Sequence, residues 1–127
     1  MKNKIIIFGS GGHAVSCIEL IESLNNYVVH KIYDKNSDKK KLFDYEIINN
    51  EKNLSILRNE AENVCIGIGF IKDNTLRKNI IDIAKNLNFK FPNIYSSTAN
   101  ISNRSTNGLG NTYHHNIFIN SDTKIGN

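Results

Sequence analysis

Lys4-Ile5-Ile6-Ile7-Phe8-Gly9-Ser10-Gly11-Gly12-His13-Ala14 is the stretch whose reading decides the fold. Ile5 to Phe8 is a continuous apolar run, as expected of a strand covered on both faces of a parallel sheet; a half-exposed strand would alternate. The run stops at glycine. Gly9, Gly11 and Gly12 let the backbone turn sharply and come close to a ligand without a Cβ in the way. Beyond them Ala14, Cys17, Ile18, Ile21 and Leu24 recur at offsets of three and four, which predicts a helix with one face on the sheet. The N–H groups of that helix's first turn and the positive end of its dipole face the glycine turn, where an anion such as phosphate is stabilised.

Outward from this unit the pattern recurs. Tyr27 to Tyr33 reads as a second strand ending at Asp34, 20 positions beyond Ala14, where a nucleotide-binding βαβ unit places a residue that contacts ribose or base. His30, inside that strand, reads as a structural or surface histidine. A polar loop over Asn36 to Asp44 leads to a short strand, Tyr45 to Ile48, and Leu54, Leu57 and Ala61 have the spacing of a short helix. Val64 to Ile68 is again a buried strand, closed by Gly69, and its carboxyl end belongs beside the first glycine turn. Asp73 or Asn74 can cap the next helix, whose apolar face is Leu76, Ile80, Ile83, Ala84 and Leu87. Arg77 falls in its first turn, where the dipole disfavours a cation, and this favours an anion-related role over a plain surface position.

Pro92, the only proline, marks the exit from the α/β unit. Helical periodicity then vanishes. Ile101, Tyr113, Ile119 and Ile125 fall on one six-residue register, broken by Asn107, with glycines and small polar residues between. Hexad periodicity is the signature of a parallel β-helix, in which each hexad makes one short face of a coil with its apolar residue inside. The expected division is a Rossmann-like α/β domain over 1–95 and an incomplete hexapeptide-repeat β-helix over 96–127.

A net charge of +4 raises the question of nucleic acid, but Lys39, Lys40 and Lys41 form the only basic run, with no aromatic residues interleaved as a stacking platform. No nucleic-acid partner is expected. Apolar runs are far shorter than the roughly 20 residues of a bilayer span, and the Met-Lys-Asn-Lys start runs directly into a core strand rather than a signal peptide. A cytoplasmic protein is therefore expected. Cys17 and Cys65, the two thiols, lie in apolar periodic segments and read as reduced core residues, not as a disulfide or a metal site.

With both parts in view the sequence resembles the bacterial sialic acid O-acetyltransferase family of sugar O- and N-acyltransferases, which includes the enzyme that acetylates a UDP-4-amino sugar on the route to bacillosamine. Gly9-Ser10-Gly11-Gly12-His13-Ala14 carries most of the resemblance. Asp34-Lys35 matches the acidic position after the second strand, Gly67-Ile68-Gly69 the glycine-containing strand, Thr75-Leu76-Arg77-Lys78 the helix-opening arginine motif, and Ala99-Asn100-Ile101-Ser102 the start of a left-handed β-helix. Tyr95 and Ser96 depart from it, standing where the family usually has His-Pro.

The resemblance implies a first domain that binds a nucleotide-sugar, either a UDP-amino sugar or a sialic-acid-type substrate. It implies a homotrimeric β-helix that takes acetyl-CoA as co-substrate between subunits. In such an enzyme a histidine deprotonates an amine or hydroxyl of the sugar, which attacks the thioester while positioned donors hold the oxyanion. That histidine is expected past Asn127, and His114 and His115 fall in an earlier coil, so no catalytic residue is assigned and acetyl-CoA is not expected to bind these 127 residues alone. By the same resemblance Gly9, Ser10, Gly11, Gly12 and His13 form the phosphate and sugar loop, Asp34 and Lys35 the uridine side, and Gly69 and Arg77 the far wall. Two other readings stay open. Gly9-x-Gly11-x-x-Ala14 followed by Asp34 satisfies the dinucleotide fingerprint of an NAD-dependent enzyme, and a non-catalytic module would carry the same patterns.

Overall fold

The computed structural model describes residues 3–68 and 75–95, together with five two-residue strands between 100 and 125. Its first part follows the apolar runs. β1 (Asn3–Phe8) leads through the glycine turn into α1 (Gly12–Glu22), then β2 (Tyr27–Tyr33), β3 (Lys41–Leu42) and β4 (Tyr45–Ile48). A single 3-10 turn precedes α2 (Leu54–Glu60), β5 (Asn63–Ile66) and α3 (Thr75–Asn86). The sheet order is β3-β4-β2-β1-β5. β1 pairs in parallel with both β2 and β5, and β2 with β4. Only β3 runs antiparallel, as a short edge strand. Lys41 and Leu42 were expected in a loop; the Phe43-Asp44 turn folds them back onto β4, with Phe43 in the left-handed region at φ 53°.

Both faces of β1 are sealed, which is why its sequence does not alternate. Ile5 and Ile7 pack with Ala14, Cys17, Ile18 and Ile21 of α1 on one side. Ile6 and Phe8 pack with Tyr33, Leu54, Leu57 and Ala84 on the other. Each Ile, Leu or Phe among them contributes roughly 1.5–3 kcal/mol by leaving water. Cys17 and Cys65 are both buried and unbridged, in keeping with the core reading. His30 sits at a register shift of β2 with Nε2 2.7 Å from Glu60 Oε1, so it ties the strand to α2. Among the described residues no helix is long and apolar enough to cross a membrane.

After α3 the chain changes architecture. β6 (Ile94–Tyr95) pairs with β9 (Thr112–Tyr113), β7 (Asn100–Ile101) with β10 (Phe118–Ile119), and β8 (Thr106–Asn107) with β11 (Lys124–Ile125), all in parallel. Every pair is offset by 18 residues, so three hexads make one coil and successive coils stack. The fold class is the expected one, a Rossmann-like parallel-dominated sheet with flanking helices followed by stacked parallel coils with a six-residue step. The loops between these strands, with His114 and His115, lie outside the described residues.

One bond between layers gives a pH dependence. Tyr45 Oη donates to Glu22 Oε2 at 2.5 Å, tying β4 to α1. Burial first, then this bond and the Glu22 charge, push the Tyr45 phenol up to about 12 from 10.0. The fold thus favours the protonated phenol, so its contribution is complete below pH 10.0 and is lost as the pH rises towards about 12. Tyr45→Phe is expected to remove tyrosinate absorbance that titrates near about 12 and to flatten the alkaline loss of stability over that window.

Candidate functional site

The first turn of the chain is built from backbone contacts. Gly9 has φ +114°, a region closed to other L-residues without strain. A Cβ there would lie 2.8 Å from Gly67 O and 2.9 Å from Ile68 Cγ1. Gly67 faces a matching restriction, because its Cβ would stand 2.9 Å from both Cα and Cβ of Ala14. Gly9 N–H donates to Tyr33 O and Gly67 N–H to Phe8 O, each at 2.8 Å, so the ladder runs on past the strands into the turn.

Gly11 and Gly12 differ. Neither has positive φ, and a Cβ on either would meet no atom within 4 Å. Turn geometry and packing therefore account for Gly9 and Gly67 but not for these two, whose effect is to leave room. Gly11 occupies the N-cap position of α1 without a side-chain cap, and the first turn of α1 holds no acidic residue. The positive end of the helix thus has no side-chain counter-charge of its own in that turn.

A cleft of about 680 Å³ opens over this turn, within the roughly 300–1,000 Å³ of small-molecule sites. It lies at the carboxyl ends of β1, β2 and β5, where the strand order reverses and doubly wound sheets bind their ligands. Gly9, Ser10, Gly11, Gly12 and His13 form one wall, and Asp34 and Lys35 the next. Ser10 Oγ donates to Asp34 Oδ2 at 2.5 Å, and Asn36 N–H donates to Asp34 Oδ1 at 3.0 Å. The carboxylate is held between the glycine turn and the end of β2. Among the described residues no group of three or more His, Cys, Asp or Glu could hold a metal ion.

Seven of the nine expected site residues therefore meet at one cleft. Gly69 lies outside the described residues. Arg77 is in the first turn of α3, half-buried, and is not among the residues lining the cleft. Helical geometry explains this, for at about 100° per residue Arg77 points nearly opposite to Asn79 and Asn86, which do line it. The far wall is instead Asn79, Ile80, Asp82, Ile83 and Asn86 of α3. The sequence offered a signal for them: three short polar residues at offsets of three and four beside the apolar stripe.

Tyr33 also lines the cleft and was missed as a polar group. Its ring packs on Phe8, centroids 5.3 Å apart, while its buried hydroxyl has no hydrogen-bond partner among the described residues. Burial, with Glu51 and Asp34 nearby, raises its pKa, so the phenol stays neutral.

Residues 4–84 match the family model of the PglD N-terminal domain. No curated protein matches the chain significantly in sequence. Among solved structures, PerB from Caulobacter crescentus, in complex with CoA and GDP-perosamine, is 25% identical with a TM-score of 0.84, covering 98% of this chain and 57% of that one. The acetyltransferase domain of PglB from Neisseria gonorrhoeae FA1090, in complex with acetyl coenzyme A, is 21% identical with a TM-score of 0.81, covering 100% of this chain and 60% of that one. UDP-D-quinovosamine 4-dehydrogenase from Vibrio fischeri is 18% identical with a TM-score of 0.62, covering 71% of this chain and 75% of that one. The latter two likenesses show fold alone. The chain spans less than two thirds of the length of the acetyltransferases it matches.

The glycines can be separated by experiment. Gly9→Ala should lower unfolding free energy by roughly 2–4 kcal/mol through strain and overlap, whereas Gly12→Ala should be neutral or stabilising by up to about 1 kcal/mol, both measured by urea denaturation. Tyr33→Phe, which deletes an unpaired buried hydroxyl, should hold or raise stability, by up to about 1 kcal/mol. A loss of more than that would show that the hydroxyl has a partner in solution.

Proposed function

The chain belongs to the family of the PglD N-terminal domain, and on that premise we propose that it is the nucleotide-sugar-binding part of an acetyl-CoA-dependent sugar acetyltransferase. The observation that carries the reading is the room left at Gly11 and Gly12, over the uncapped N-terminus of α1 and inside a cleft of ligand size. A diphosphate placed there meets the positive helix end, with Lys35 and His13 on the same rim. The nucleotide then serves as a handle whose binding energy positions the sugar for reaction.

The substrate proposed is a UDP-amino sugar or a sialic-acid-type sugar, used in surface-glycan or glycoprotein sugar biosynthesis. PerB, crystallised with GDP-perosamine, supports the amino-sugar class and makes guanine a base to test beside uracil. Division at residues 95 and 96, acetyl-CoA binding by coils further on, and a homotrimer built on a complete β-helix belong to the same proposal. A dehydrogenase would need a second mononucleotide half after α3. The 18-residue register of β6 to β11 is a different architecture and weighs against it.

Calorimetric titration with UDP, GDP, a UDP-amino sugar, NADH and acetyl-CoA tests the reading. Uptake of a uridine or guanosine nucleotide is expected, weakened at least about tenfold in Gly11→Val, whose side chain enters the cleft while costing about 1 kcal/mol or less at the N-cap. Acetyl-CoA should give no heat with these 127 residues. Uptake of NADH alone overturns the proposal in favour of a dehydrogenase, and no nucleotide uptake at all leaves a folded module without this function.

A further inference from the structure

We propose that Ser10 acts through Asp34: its hydroxyl aims the Asp34 carboxylate at the vicinal diol of a ribose, and the cleft thereby selects ribonucleotides over deoxyribonucleotides. This rests on the nucleotide-sugar reading and gives Ser10 a positioning role in place of the phosphate or sugar contact expected from its place in the glycine loop.

A serine hydroxyl has one proton to give. Here Ser10 Oγ gives it to Asp34 Oδ2 at 2.5 Å. While that bond stands Ser10 has no donor left for a phosphate oxygen, and a diphosphate falls to the N-terminal end of α1, with Lys35 and His13 on the rim. The hydroxyl instead spans 24 positions of sequence, from the turn after β1 to the end of β2.

Asp34 is held twice over. Its N–H donates to Ile48 O at 3.0 Å and its carbonyl accepts from Ser37 N–H at 3.2 Å, so the backbone is secured to β4 and to its own loop without the side chain. Oδ1 accepts from Asn36 N–H at 3.0 Å and Oδ2 from Ser10, and these two bonds fix the direction of the carboxylate. Of the two donors only Ser10 belongs to the glycine turn.

An ionised carboxylate has about four acceptor sites, so after these bonds one remains on each oxygen among the described residues. Ser10 and Asp34 are half-buried and both line the cleft. Two acceptors side by side fit two adjacent O–H donors, as the 2′,3′-diol of a ribose presents them. Position agrees with chemistry. Strand-turn-helix geometry sets the nucleoside at the end of β2, and a carboxylate bonded to the phosphate-binding turn itself stands one unit from the diphosphate, where the ribose lies and the base does not. The sugar beyond the diphosphate leads away from β2.

The test measures affinities of wild type, Ser10→Ala, Asp34→Ala and the double variant for UDP and GDP and for their 2′-deoxy and 3′-deoxy forms. Each substitution removes half-buried polar contacts and opens no core cavity, so the variants keep the fold, as thermal melting should confirm. For the nucleotide that binds, wild type should lose about tenfold on removal of either hydroxyl. Ser10→Ala should bind the parent nucleotide about fivefold more weakly and lose less than about threefold on deoxygenation. Asp34→Ala should bind it about tenfold more weakly with no further loss on deoxygenation, and adding Ser10→Ala should then change affinity by less than about twofold. Should wild type bind the deoxy forms as tightly as the parent, the carboxylate does not read the ribose, and the inference is overturned while nucleotide binding stands. The same follows if Ser10→Ala keeps the wild-type ratio, or weakens binding as much in the Asp34→Ala background as alone, which would mark a direct contact. No nucleotide uptake by wild type overturns both.

Discussion

Three backbone segments meet at the carboxyl end of β1 with no space for a side chain between them. The Gly9 turn lies against Gly67, and Gly67 lies against Ala14 of α1, at separations a Cβ could reach only as 2.8–2.9 Å overlaps. This contact lets α1 sit directly on the sheet and brings its N-terminus over the crevice between β1 and β5. The site follows from that packing, not from any one ligand-binding side chain.

The same contact sorts the glycines by cause. At Gly9 a positive φ and a crowded surround act together, and at Gly67 crowding acts alone. At Gly11 and Gly12 neither operates. Glycine inside the first turn of a helix, as at Gly12, gives up propensity, so its presence there calls for a reason outside the protein's own packing, and an open cleft beside a positive helix end supplies one. The Ser10 to Asp34 bond adds to this by fixing the turn to the end of β2, so two walls of the cleft are held in register.

Much of this was legible in the sequence because it depends on short-range patterning. A continuous Ile-Ile-Ile-Phe run can be satisfied only by cover on both faces, and the structure supplies it with α1 on one side and α2 and α3 on the other. Asp34 was legible because its position is fixed by chain length from the glycine turn. What escaped depends on rotation and long-range pairing. Arg77 was favoured by its place in a helix's first turn, but the direction in which a helix presents a residue depends on which arc meets the sheet, and that arc turns Asn79 and Asn86 toward the cleft instead. β3 escaped because two residues carry no periodicity, and only the folded turn at Phe43 brings them to β4.

The coils show how little sequence signal a solenoid needs once it is anchored. Each described strand there is two residues long and makes one parallel pairing, so no strand has enough contact to order itself in isolation. The first of them is not isolated. Ile94 is 1% exposed within the same apolar cluster as Ile5, Ile7 and Ile18, while its backbone pairs with Thr112. The α/β core thereby fixes one residue of the first coil, and the six-residue step then sets where each later strand falls. Asn107 breaks the apolar register, yet the pairing continues through it to Ile125. Register in this part is therefore set by backbone stacking that starts from an anchored strand, and a single polar residue does not shift it.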